Sequence, residues 1–138
     1  MAGTILKQGT NFIRSGQPLA AIHFIAKGKV QAEYPGGTYT LGKGDIIGIC
    51  ELCSEVHFLG YTAIEDTTIA TYPISNFQAL DDFLMGNSDL ARIMCISLFH
   101  QINTLMNQEA VSEMHCTGLY QQLLDDYQRY THLCNKYA

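Results

Sequence analysis

Two cysteines three residues apart, followed by a histidine, are the strongest chemical signal in the sequence. Cys50 and Cys53 form a CxxC pair, and His57 follows four residues after the second cysteine. Thiolates and imidazole bind zinc, haem iron or iron–sulfur clusters, and a CxxC pair also supports redox chemistry. His115 and Cys116 could complete such a set. The pattern predicts a metal or redox site at Cys50, Cys53 and His57. The alternative, favoured because there is a single CxxC, is that both cysteines are small buried hydrophobic residues.

Groups for acid–base or phosphate chemistry do not occur at the spacing that enzymes use. The sequence contains no P-loop, GxGxxG, GxSxG or HExxH motif. The acidic pairs at positions 81–82 and 125–126 consist of adjacent residues, which point in different directions on a helix and so cannot form a shared acid–base site. We therefore expect that the chain is not an enzyme.

The composition indicates one ordinary domain. The chain has 138 residues, of which 47% are hydrophobic and 15% charged, and it is long enough to bury a core without disulfides. The net charge is −5 and the basic residues are scattered, which argues against nucleic-acid or anionic-membrane binding. No apolar run approaches the roughly 20 residues that span a bilayer, and a signal-peptide pattern is missing. With five cysteines, an odd number, we expect reduced thiols and a cytoplasmic location.

Hydrophobic periodicity divides the chain into two halves. Up to Tyr72, short alternating runs rich in β-branched and aromatic residues are separated by glycine turns. After Pro73 the period becomes helical, and Ser75 with Gln78 has capping-box spacing. The fold class is therefore predicted to be mainly β with C-terminal helices. Residues 1–74 would form a β-jelly-roll barrel sensor domain, and residues 75–138 a segment of two or three α-helices.

An apolar stripe on the second helix predicts a dimer interface. The stripe repeats at three- and four-residue spacing and contains Leu90, Ile93, Met94, Leu98, Ile102, Leu105 and Met106. A third segment begins between Ser112 and Gly118, and its stripe either docks back onto the barrel or forms a dimer helix. We expect a homodimer through Leu90, Met94, Leu98, Ile102 and Leu105.

The order of glycine and apolar residues resembles the cyclic nucleotide-binding domain of the catabolite-activator type. Residues 22–30 look like its hydrophobic strand, glycine turn and following valine. The Gly-Asp-x-x-Gly at residues 44–48 is similar to the entry of the phosphate-binding cassette, and residues 61–69 resemble the strands that leave it. The resemblance covers about residues 4–106. It implies a jelly-roll barrel with following helices, and a regulatory domain of a transcription-regulator-type protein that binds a cyclic nucleotide or another small effector.

The positions that bind the nucleotide in that family carry different residues here. Ile49 stands where the family has a glutamate for the ribose, and His57 where it has an arginine for the phosphate. Glu51 replaces the missing acid only if the alignment shifts. Residues 44–63 contain no Lys or Arg, so this segment would repel an anionic nucleotide. The resemblance thus implies altered or lost cAMP and cGMP binding. The candidate ligand-binding residues are Gly48, Ile49, Cys50, Glu51, His57, Phe58, Gly60 and Tyr61.

Three functional hypotheses follow from the sequence. The first is a sensory module with a diverged cassette, and the second is a redox or metal sensor that uses the CxxC. The third is a ligand-free dimerisation scaffold, which would be favoured if side chains such as Phe58 or Tyr61 filled the pocket.

Overall fold

Two four-stranded antiparallel sheets and three helices make up the chain in a computed structural model, which describes residues 3–35, 37–106 and 114–137. The strand orders are β1-β8-β3-β6 and β2-β7-β4-β5. Hydrogen bonding within those ranges produces two separate sheets, a jelly-roll sandwich, and not one closed barrel. The strands are β1 (Gly3–Leu6), β2 (Asn11–Ile13), β3 (Ile22–Lys27), β4 (Val30–Tyr34), β5 (Gly37–Leu41), β6 (Ile46–Ile47), β7 (Gly60–Ala63) and β8 (Thr67–Tyr72).

Side-chain alternation along the strands builds the core between the sheets. In β4, Val30, Ala32 and Tyr34 are buried while Glu33 is exposed. The partner strand β5 buries Tyr39 and Leu41 in the same way. Because successive strand residues point to opposite faces, each strand contributes its apolar face to one shared interior.

The turn between β3 and β4 requires glycine. Gly28 has a φ of 101°, and a Cβ atom there would lie 2.5 Å from Thr67 Oγ1 and 2.6 Å from the Asp66 carbonyl oxygen. Only glycine permits both this backbone conformation and this approach. The turn can therefore pack directly against the turn that joins β7 to β8.

The three helices follow the strands in one run: α1 (Phe77–Met85), α2 (Ser88–Met106) and α3 (Met114–Tyr137). The cap of α1 is Asn76, whose side-chain oxygen accepts a hydrogen bond from the Ala79 amide at 2.8 Å, so the predicted cap at Ser75 is one residue early. Gly118 lies inside α3 and does not break it. No helix in the described part of the chain has the length and apolarity of a bilayer-spanning segment.

The apolar stripe of α2 lies inside the chain, which corrects the predicted dimer interface. Met94, Leu98, Ile102 and Leu105 are buried, and Leu90 is half-buried, because α2 packs against both the strands and α3. These side chains are part of the core and present no surface to a second copy. Among the described side chains of α2, the large apolar ones that are exposed are Ile96 and Phe99, at 61% and 51%.

The stripe of α3 docks back onto the rest of the chain, which was one of the two sequence-based alternatives. Leu119, Leu123 and Tyr130 are buried, and α3 packs on α2 and on the loop between β6 and β7. The tertiary contacts of α3 therefore join the end of the chain to the cassette segment.

Truncation of the α2 stripe should be costly even in a monomer. We expect Leu98→Ala to lower the free energy of unfolding by about 2–5 kcal/mol, because Leu98 is a buried core residue. Ile96→Ala, the matched change on the exposed face, should cost about 0.5 kcal/mol or less. Urea denaturation followed by circular dichroism measures both. Equal stability of the two variants would contradict the packing described here.

Candidate functional site

The loop between β6 and β7 carries the candidate site. Gly48 begins it with a φ of 107°, and a Cβ atom there would lie 3.3 Å from Ile22 Cγ2. A short 3₁₀ helix, Ile49–Glu51, follows and is closed by the amide of Leu52 donating to the carbonyl of Ile49. Its three residues are buried, so the loop turns its first half into the space between the sheets.

Glu51 lies at the centre of this loop with no exposure to solvent. Its Oε1 accepts hydrogen bonds from the Tyr61 hydroxyl at 2.8 Å and from His57 Nδ1 at 2.9 Å. Its Oε2 accepts from the Leu59 amide at 3.0 Å. A carboxylate only accepts, so the proton of His57 in this contact lies on Nδ1. Three donors compensate for the removal of the carboxylate from water.

Tyrosine side chains fill the interior beside Glu51. Tyr61 and Tyr39 are buried, and burial, then the neighbouring Cys50 and Glu51, raise the pKa of both phenols well above its ordinary value. Both phenols therefore stay protonated and serve as hydrogen-bond donors. The ring of His57 also meets the ring of Tyr61 edge-on, with centroids 6.1 Å apart.

The structure brings together only part of the predicted ligand-binding set. Glu51, His57 and Tyr61 form one hydrogen-bonded cluster, and the buried 3₁₀ helix carries Ile49 and Cys50 beside it. Phe58 and Gly60 instead line an open cavity of about 380 Å³. The other residues around that cavity are Asn11, Arg14, Ser15, Glu33, Tyr34 and Pro35.

The predicted metal set is not assembled. In the ranges that the structure describes, no group of three His, Cys, Asp or Glu side chains could hold a metal ion. His57 Nδ1 donates to Glu51, so only the Nε2 atom of this ring is left for another contact. The side chains of His115 and Cys116 lie outside the described residues. Within the described residues, Cys50, Cys53 and His57 are therefore not brought together as a metal site, and the assignment of a metal to them stays a prediction.

The thiols of the CxxC are held in their protonated form. Burial, followed by Glu51 and Asp126, raises the pKa of Cys50 well above its ordinary value. The pKa of the exposed Cys53 is also raised, first by partial burial and then by Asp126. A protonated thiol is a poor nucleophile and metal ligand.

Both cysteines are free thiols, whereas Cys95 is disulfide-bonded, which departs from the expectation that all cysteines are reduced.

A second buried carboxylate, Asp45, connects the start of the loop to α2. Its Oδ1 accepts from Ser97 Oγ at 2.9 Å and lies 3.1 Å from His100 Nδ1, while its Oδ2 accepts from the Gly42 amide at 2.8 Å. The Ile46 amide donates to Ser97 Oγ at 3.0 Å. Asp45, Ser97 and His100 therefore connect the start of β6 to α2.

Gln101 extends this network into the interior. Its Nε2 donates to the Ile46 carbonyl at 3.3 Å, and its Oε1 accepts from the Tyr39 hydroxyl at 3.1 Å. Sequence reasoning missed Ser97 and Gln101. Their signal was two polar residues four positions apart on an otherwise apolar helix face, a spacing that places both on the buried side.

His23 contacts a neighbouring strand and lies apart from the Glu51 cluster's hydrogen bonds. Its Nδ1 lies 2.9 Å from Thr71 Oγ1 on the neighbouring strand. Burial, and then the nearby His57, lower its pKa from 6.5 to about 4. The neutral ring is therefore the stable form at neutral pH, and protonation of His23 would oppose folding as the pH falls from about 6.5 towards 4.

Solved structures share this architecture. No protein-family model and no curated protein matches the sequence. A cAMP-binding acyltransferase from Mycobacterium smegmatis is similar at 23% identity and a TM-score of 0.55, over 73% of this chain and 33% of that one. A putative cyclic nucleotide-binding protein from Geobacter metallireducens matches at 13% identity and a TM-score of 0.53, over 75% and 78% of the two chains. PKAR CBD2 with bound Sp-2Cl-cAMPS matches at 17% identity and a TM-score of 0.51, over 64% of each chain.

These likenesses show the fold. The chain has the fold of a cyclic nucleotide-binding domain, in which paired antiparallel sheets are followed by helices. It spans only a third of the length of the acyltransferase and 64% of the PKAR structure. At these identities the comparison concerns the backbone architecture and not the residues of the site.

Removal of the central carboxylate should destabilise the whole domain. Glu51→Ala leaves the donors of His57, Leu59 and Tyr61 buried without an acceptor, so we expect the free energy of unfolding to fall by about 3–5 kcal/mol. Glu65→Ala removes the same charge from an exposed turn and should change the free energy of unfolding by about 0.5 kcal/mol or less. Chemical denaturation of both variants is the measurement. A Glu51→Ala protein as stable as Glu65→Ala would contradict the described site.

Proposed function

We propose that this chain is a regulatory module of the cyclic nucleotide-binding fold whose cassette is closed by its own side chains. The single observation that carries the proposal is the carboxylate of Glu51, which takes the hydrogen bonds of His57, Leu59 and Tyr61 with no exposure to solvent. In this arrangement the donors of the cassette already have an acceptor. A phosphate could bind them only by displacing Glu51.

Electrostatics oppose such a displacement. A cyclic phosphate carries one negative charge, and residues 44–63 contain no Lys or Arg to pair with it. The phosphate would meet the carboxylates of Asp45 and Glu51, both of which are buried. Two like charges in a low-dielectric interior repel strongly, and His57 alone could compensate only one of them.

The space for a nucleotide is also occupied. Tyr39 and Tyr61 are 2% and 1% exposed and lie in the interior next to Glu51. The residues that line the described cavities of about 380 and 550 Å³ include neither of these tyrosines. A nucleotide would therefore have to open a packed core and not simply enter a preformed pocket.

The same structure supplies a route by which the cassette could act on the helices. Tyr39 in the interior donates to Gln101 on α2, and Asp45 at the loop entry accepts from Ser97 on the same helix. α3 packs on the 3₁₀ helix. A change in the loop would therefore alter how both helices pack, and that repacking is the regulatory output that we propose.

We also propose that the chain is cytoplasmic and non-enzymatic and acts within a transcription-regulator-type protein.

Calorimetric titration with cyclic nucleotides tests the closed cassette. We expect no heat of binding when the reduced protein is titrated with cAMP or cGMP to millimolar concentration at low salt, because Glu51 already occupies the donors. Low salt leaves electrostatic attraction unscreened and so favours detection. 5′-AMP serves as the control for non-specific heat. Micromolar binding of cAMP or cGMP, absent with 5′-AMP, would overturn the proposal.

A ligand-free dimerisation scaffold is the second candidate, favoured by the burial of Tyr61 in the pocket. With the predicted stripe buried, Ile96 and Phe99 are exposed apolar residues of α2 that a homodimer could cover. This candidate predicts a dimer whose mass does not change with cAMP. Ile96→Asp with Phe99→Asp should halve that mass in sedimentation equilibrium, with Asp89→Asn as a control on the same helix. A monomer in the unsubstituted protein would exclude this candidate.

A further inference from the structure

The carboxyl group of Asp126 is buried where α3 packs on the cassette loop. The residue is 1% exposed. Its Oδ1 accepts a hydrogen bond from Gln122 Nε2 on the same helix at 3.0 Å. Its Oδ2 is buried and has no hydrogen-bond partner in the described part of the chain. An ionised carboxylate with one uncompensated oxygen is unfavourable in such a position.

The charged neighbours on α3 do not compensate for this burial. Asp125 is adjacent and carries the same charge, although its side chain is exposed and accepts from Gln121 at 2.8 Å. Arg129 lies one turn further on, but its guanidinium is 3.3 Å from Asp81 on α1 and lies 4.4 Å from the ring centre of Phe77. Arg129 therefore pairs with Asp81, and its charge offsets the burial of Asp126 only in part.

The cassette loop presents neutral groups to Asp126. The titratable side chains on that side are Cys50 and Cys53, whose pKa values are raised by burial first and also by Asp126 itself. Glu51 adds a further negative charge, with its own donors already in place. No side chain of the loop offers Asp126 a positive charge.

The balance of these effects favours the protonated carboxyl group. Burial is the largest cause, the hydrogen bond from Gln122 opposes it, Asp125 adds to it and the charge of Arg129 opposes it, so that the pKa of Asp126 rises from 3.8 to about 7. The same group would have an ordinary pKa if α3 left the loop and water reached it.

We propose that Asp126 is a proton-operated latch, which holds α3 on the cassette loop when the carboxyl group is protonated and weakens that contact when it ionises. Between the two pKa values the docked helix binds more protons than the released one. Docking is therefore strongest at low pH and is lost progressively as the pH rises through about 7. This proposal does not depend on whether the cassette binds a nucleotide.

Hydrogen exchange of α3 tests the latch. Protection factors, corrected for the intrinsic pH dependence of exchange, are measured by mass spectrometry at pH 6 and pH 8 on the full chain. We expect the opening constant of α3 to be about tenfold larger at pH 8 than at pH 6, since the docked carboxyl group titrates between them. Asp126→Asn removes the carboxyl group, so its opening constant should lack this tenfold change. His23 titrates in all chains alike, so the comparison between variants removes its effect.

Asp125→Asn is the matched control, because it removes the same charge one residue away from an exposed position. It should retain the pH dependence of the unsubstituted protein. The proposal is overturned if Asp125→Asn and Asp126→Asn both abolish the pH dependence of the α3 opening constant. It is also overturned if the unsubstituted protein shows no such pH dependence. A direct readout is the titration of the Asp126 carboxyl carbon by NMR. A midpoint near 7 supports the latch, and a midpoint near 4 refutes it.

Discussion

A carboxylate removed from water needs hydrogen-bond donors around it, and Glu51 obtains them from the loop in which it lies and from strand β7. One of these donors is the backbone amide of Leu59, so satisfying Glu51 also determines how the chain returns from the 3₁₀ helix to β7. The others are the side chains of His57 and Tyr61. The loop is thus built around an internal anion, and an external anion would have to compete for the same groups.

The same requirement connects the loop to the helices. Asp45 accepts from the Gly42 amide and from Ser97 on α2, so burying this acid holds a helix against the strands. Asp126 on α3 differs, because only one of its oxygens has a donor. Glu51 and Asp45 are satisfied and rigidify what they touch. Asp126 is incompletely satisfied, and its environment favours the neutral acid.

The chain shares its fold with solved structures at only 13–23% identity, because a fold depends on the pattern of residues more than on their exact identity. Apolar alternation along the strands and glycine at tight turns such as Gly28 suffice to specify two packed sheets. Binding a cyclic phosphate needs particular charged groups at particular points, and these can change while the architecture persists. Residues 44–63 have glycines and apolar residues and contain no Lys or Arg.

The sequence alone determined the strand-rich first half and the helical second half of the chain. It also determined that residues 44–63 contain no Lys or Arg. Periodicity and charge are local properties of the chain, so both can be read without the fold. Apolar spacing on α2 showed that one face is buried but not against what, so Leu98 was assigned to a dimer although it packs within the chain. The site was decided by tertiary structure. Gln101 and Ile46 are 55 positions apart, and Glu51 meets Tyr61 across 10. These hydrogen-bond partners depend on how the sheets and helices pack together, and a local sequence pattern does not determine that packing.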